Sequence, residues 1–201
     1  STSGMKTITI PQATNDSFIE VLRTLYLTLQ HTTAKESYQF DLGQCQWVHP
    51  LLVLPLSAFI NVSGSTYLLD GQTSSGSYLN TICFPQGISA LSPLQHYAQS
   101  NATKSYTPIS VLKQDMPEQE REKLQTQFDH MILRVLQPAA GAANAIYYPL
   151  SELVTNIFDH SHSNQGYLFG QYYSTKQFLD ICIVDTGRGL VQNYAEEKGL
   201  N

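Results

Sequence analysis

Residues 38–60 read YQFDLGQCQWVHPLLVLPLSAFI. The first five alternate large apolar and polar side chains, the period of a half-buried strand. Gly43 ends that pattern, and His49-Pro50 opens a ten-residue apolar run, Leu51–Ile60. Proline suits the first turn of a helix because the amide it lacks would have no partner there. The segment therefore predicts a strand, a turn and a buried helix. A membrane span needs about 18 apolar residues, so ten residues interrupted by Pro55 are too short for one.

Working outward, Lys6–Ile10 alternates Thr and Ile as a short strand. Asp16 or Ser17 can cap a helix whose positions Phe18, Val21, Leu22, Leu25 and Leu29 keep the 3.6-residue period. Beyond Gly64, Thr66–Leu69 is a strand, Asp70-Gly71 a turn, and Ser77–Phe84 a short helix ending at Pro85-Gln86-Gly87. The order β-α-β-α-β-α predicts a small α/β layer over residues 5–92. Residues 93–116, beginning with the weakly periodic stretch Pro93–Pro108, read as a junction.

Residues 117–201 make the second domain. Pro117 followed by Glu118, Glu120 and Glu122 places acids in the first turn of a helix, where the dipole favours them. Leu124, Phe128, Met131, Ile132, Val135 and Leu136 form its apolar stripe. The run Ala139–Ala145 leads to a second helix, Pro149–His160, and then to strand-like runs Tyr167–Tyr173 and Phe178–Val184. The fold class expected for the whole chain is α/β.

Composition limits the function. The 201 residues carry 11 Lys or Arg against 16 Asp or Glu, a net charge of −5, and only 13% are charged. Residues 1–113 balance to zero and the deficit lies in 114–201. With no basic stripe, a nucleic-acid surface is not expected. Between Ser37 and Thr103 only Asp41 and Asp70 are charged. Such a surface is either covered, by a partner protein, a second domain or a second copy in a homodimer, or is a polar surface of Ser, Thr and Gln. Three widely spaced cysteines, Cys45, Cys83 and Cys182, without a CxxC pair, read as reduced thiols. With no export signal and no membrane span, the expected location is the cytoplasm.

On Pro149–His160, advancing about 100° per residue from Glu152 puts Asn156, Asp159 and His160 within about 80° of it. Leu150, Leu153, Val154, Ile157 and Phe158 take the other side. Alone, this is an amphipathic helix whose polar face is either solvated or a site. The strand Ile181–Val184 runs into Asp185-Thr186-Gly187-Arg188-Gly189, a carboxylate at a strand tip beside two flexible positions. Alone, this fits a ligand pocket or an ordinary turn. The run Asp159-His160-Ser161-His162 lacks a further Cys or His at matching spacing, which argues against zinc. Ser151, Thr155 and Ser161 lack the strained elbow of a nucleophilic serine.

In this order, SELVTNIFDHS (151–161) and DTGRG (185–189) resemble the N box and G1 box of the GHKL ATPases, the superfamily of gyrases, heat-shock chaperones, histidine kinases and mismatch-repair ATPases. The ELVTN…DHS form is closest to the anti-sigma-factor serine-kinase branch. The resemblance implies ATP and Mg²⁺ as cofactors. It makes Asn156 the metal-binding asparagine, Glu152 the general base, Asp185 the reader of the adenine amino group, and Gly187 and Gly189 the shapers of that pocket. Asp159 and His160 stand near the phosphates. The family completes its site with a lid and a second glycine-rich box. The chain ends at Asn201, twelve residues after Gly189, with neither, so it reads as cut within the domain and inactive by itself.

YQFDLGQCQWVHPLLVLPLSAFI, GSTYLLDG (64–71) and YLNTICFPQGI (78–88) resemble a STAS domain, the fold of the anti-sigma-factor antagonists. Where that family carries a phosphorylatable Ser or Thr, this chain has His49, Pro50 and Leu51, which implies docking rather than a phospho-switch. The two resemblances together imply an Mg·ATP-binding regulatory protein, a serine/threonine kinase or ATPase acting on a partner protein. The alternative is a non-catalytic interaction module with a vestigial ATP fold.

Overall fold

The computed structural model describes residues 4–15, 17–113, 115–135, 165–173 and 178–185. It is a mixed α/β chain that divides into two compact units, with the boundary between Gln86 and Gly87.

The first unit runs β1 (Lys6–Thr9), α1 (Phe18–Leu29), β2 (Tyr38–Asp41), α2 (Pro50–Ser63), β3 (Thr66–Leu68) and α3 (Ser74–Thr81). The strands lie in sequence order β1-β2-β3, all parallel, with Ile8 beside Phe40 and Phe40 beside Tyr67. Parallel neighbours require crossovers, which α1 and α2 supply. Those helices pack against each other, so both cover one face of the sheet. The strand alternation fits this placement. Ile10, Tyr38 and Phe40 are buried on the covered face, whereas Thr7, Thr9, Thr66 and Leu68 on the other are exposed. Phe59 of α2 meets Phe40 edge-on at 5.8 Å between ring centres.

Helix α2 is apolar around its whole circumference, and Leu52 through Ile60 are buried without a gap. A helix of that kind is stable only when enclosed. Its start is fixed by His49, whose Nδ1 accepts the Leu51 amide at 3.1 Å, and by Pro50 in the first turn. Its end is Gly64, in the left-handed region at φ +67°. Ser57 Oγ and Asn61 Nδ2 both donate to the Pro85 carbonyl. Ser17 caps α1, its Oγ accepting the Glu20 amide.

Two expectations are corrected here. The third helix begins at Ser74 rather than Ser77 and ends at Thr81 rather than Phe84, because Thr73 Oγ1 takes the Gly76 amide and starts the helix early. The stretch Pro93–Pro108, read as weakly periodic, overlaps helix α4 (Leu91–Ser100). Its flanking Ala90 makes no side-chain cap, which leaves Pro93 in the first turn as the local start signal.

The second unit contains α4, β4 (Ser110–Lys113), α5 (Glu118–Val135), β5 (Gln165–Tyr173) and β6 (Phe178–Asp185). Its strands form an antiparallel sheet in the order β4-β5-β6. Ile88 adds a parallel bridge to the outer edge of β4 and Tyr106 bridges to Gln171. Helix α5 packs against α4, β4 and β5, and Arg134 Nη1 donates to the Ala98 carbonyl at 2.9 Å. The expected stripe Leu124, Phe128, Met131, Ile132 and Val135 is buried. Among the described residues no helix is long and apolar enough to cross a membrane.

Candidate functional site

Of the residues singled out in the sequence, Asp185 lies within the structure, as the last residue of β6. The β5–β6 register pairs it with Gly166, which in turn pairs with Leu112 of β4. Leu112, Gly166 and Asp185 therefore share one face of the sheet with Ser110, Leu168, Gly170 and Tyr172. That face is buried at each of these β4 and β5 positions. On the opposite face Val111, Tyr167 and Phe169 are buried, whereas Lys113, Gln165, Gln171 and Tyr173 are partly exposed. The backbone thus places a carboxylate residue at a strand terminus, in register with a residue that has no side chain. Glycine inside a strand commonly marks a close approach by another group. Glu152, Asn156, Asp159, His160, Gly187 and Gly189 lie outside the described residues, as do Leu136 and the expected helix Pro149–His160.

Residues 105–107 hold the start of the β4 segment against β5. The Thr107 amide donates to the Gly170 carbonyl, the Gly170 amide returns a bond to Thr107 Oγ1, and the Tyr172 amide donates to the Ser105 carbonyl. This pairing fixes β5, and with it the position of Gly166 opposite Asp185.

The first unit has a cleft that the sequence did not reveal. It lies past the carboxyl ends of β1 and β2, where open parallel sheets usually bind ligands. Gln12, Thr24, Cys45, Trp47, His49 and Leu52 are among its lining residues. Gln12 Oε1 accepts the Gln46 and Trp47 amides and draws the two loops together. The enclosed volume is about 10 Å³, the room of one water molecule. Cys45 Sγ lies 3.6 Å from the Ile10 carbonyl. Burial, and secondarily the charge of Asp41, push its thiol up to about 11, so it stays protonated and unreactive at neutral pH. The cleft is too small for a cofactor and its thiol is inert.

Among the described residues no three or more His, Cys, Asp or Glu side chains gather as a metal site. His130 is an exposed residue of α5. Sequence reading missed Asp129, a buried acid on the same helix. Its only sequence signal is its place inside FDHMI, flanked by the stripe residues Phe128 and Met131. Comparison with protein-family models, with curated proteins and with solved structures finds no match to this chain.

Proposed function

We propose that the chain is an Mg·ATP-binding regulatory protein, a STAS-like unit followed by a GHKL-type ATPase unit, that acts on a partner protein as a serine/threonine kinase or ATPase. The observation that carries this reading is the placement of Asp185 at the end of β6, in register with Gly166. A carboxylate there can accept a hydrogen bond from an exocyclic amine, and the glycine adds no bulk beside it. The surrounding order, strand, long helix and antiparallel strand pair, also suits an ATPase domain of this type. The parallel β-α-β-α-β order of the first unit supports the STAS-like part.

In this reading Asp185 reads the base, with Gly187 and Gly189 beside it. Asn156 holds the Mg²⁺, and Asp159 and His160 stand along the phosphates. The metal ion, when bound, neutralises phosphate charge. Glu152 orients and deprotonates the attacking hydroxyl, of a partner serine or threonine or of water. Glu152→Gln keeps shape and hydrogen-bonding capacity but loses the basic carboxylate. Turnover, by phosphotransfer or ATP hydrolysis, is expected to fall about 10²–10⁴-fold with nucleotide affinity nearly unchanged. Unaltered turnover in this variant removes Glu152 from the chemistry.

A second reading is favoured by α1. Ile19, Tyr26 and Leu27 are 60%, 54% and 47% exposed and lie on its outward side. An outward apolar side suits a protein-interaction module whose ATP fold is vestigial. That reading wins if partner binding survives in a protein that neither binds nor turns over ATP.

A further inference from the structure

The packing face of α5 includes one residue that it does not satisfy. Leu124, Phe128, Met131, Ile132 and Val135 are buried there, and Asp129 is buried beside them at 5% exposure. Its Oδ1 is enclosed without a hydrogen-bond partner. An ionised carboxylate so placed loses its hydration and gains no compensating contact, whereas the protonated form carries no charge to desolvate.

Among the described residues, the elements packed against α5 offer no hydrogen bond to hold the anion at Oδ1. Their titratable or charged side chains are His96 and Tyr97 on α4, Lys113 on β4, and Tyr167, Tyr172 and Tyr173 on β5. None of them hydrogen-bonds Asp129 Oδ1. On α5 itself Glu122 and His130 are exposed, and Arg134 is engaged with the Ala98 carbonyl. Burial is the cause that pushes the Asp129 carboxyl up to about 6.

We propose that Asp129 is a proton-linked switch in the second unit: α5 seats fully on α4, β4 and β5 with the carboxyl protonated, and loosens when it ionises. The folded state holds this proton more tightly than the unfolded chain, whose aspartates titrate near ~3.9. The stabilisation is therefore complete below about pH 4, is lost as the pH rises toward 6, and stays lost above it. Because the carboxyl belongs to one helix, the loss is expressed first as local opening of α5.

The test is hydrogen exchange of the α5 amides, corrected for intrinsic rates, with a carbon-13 titration of the Asp129 carboxyl. Both are followed from about pH 4.5 to about pH 7.5. In the parent chain the carboxyl is expected to titrate near pH 6, and the α5 opening constant to rise roughly 20–30-fold across the range. In Asp129→Asn, and in Asp129→Leu should the amide fold poorly, the opening constant is expected to stay flat. A carboxyl titrating near pH 4, or a parent opening constant that does not change with pH, overturns the proposal.

Discussion

A Cβ added at Gly76 would lie 2.1 Å from the Asp70 carbonyl oxygen, far inside van der Waals contact. That carbonyl also accepts from the Thr73 amide and hydroxyl, so it cannot retreat without undoing the turn that starts α3. Gly76→Ala is therefore expected to destabilise the fold by about 1–3 kcal/mol, the usual cost of overpacking. A urea midpoint unchanged from the parent would refute this. Asp70-Gly71 was legible as a turn, because those residue types punctuate chains. The close approach at Gly76 was not, because it arises from the path of backbone six residues away in sequence. Asp129 was invisible for a related reason: its burial depends on which elements pack against α5, and its own helix gives no sign of that.

At the scale of elements, α2 was readable because Pro50, an unbroken apolar run and Gly64 agree on where it starts, what it buries and where it ends. The sequence did not reveal that His49 caps it. Histidine is an uncommon N-cap, and here the bond uses the unprotonated Nδ1 as acceptor. His49→Ala is expected to lower stability by about 0.5–2 kcal/mol, and His49→Asn, a good N-cap residue, to recover most of that loss. Thermal unfolding of the pair decides; equal stability of the alanine variant and the parent would mean that Pro50 and burial alone start the helix. Helix α4 shows the converse. It has no capping side chain, and Pro93 in its first turn is the weaker local signal that remains for its start. Leu94, Tyr97 and Ala98, its buried face, become meaningful once α5 is known to lie against them.

Across the whole molecule, the charge division read from the sequence falls after Lys113, inside the second unit, and so does not coincide with the boundary between Gln86 and Gly87. The charge-poor stretch through residue 86, with five acids and three bases, is built on a three-stranded parallel sheet, and most of the acidic residues belong to the later part of the chain, with its antiparallel sheet. The mixed α/β class was legible because strand and helix periods alternate along the chain. The candidate site was legible as two short motifs, of which the structure positions Asp185 alone. Its pairing with Gly166 follows from the hairpin register, which no local pattern specifies. In the proposed site Asp185 reads a nucleotide base, and binding depends on Mg²⁺. Calorimetric titration with ATP, with and without Mg²⁺, of the protein extended to carry the lid and second glycine-rich box, beside its Asp185→Asn variant, tests that role. Asparagine keeps the size of the side chain but can turn a donor toward the adenine amine. The expected result is Mg²⁺-dependent binding in the parent, weakened about 10–100-fold in the variant, the cost of a lost buried hydrogen bond to a charged group. Equal ATP affinity of parent and variant, or no ATP binding by the parent, would contradict it.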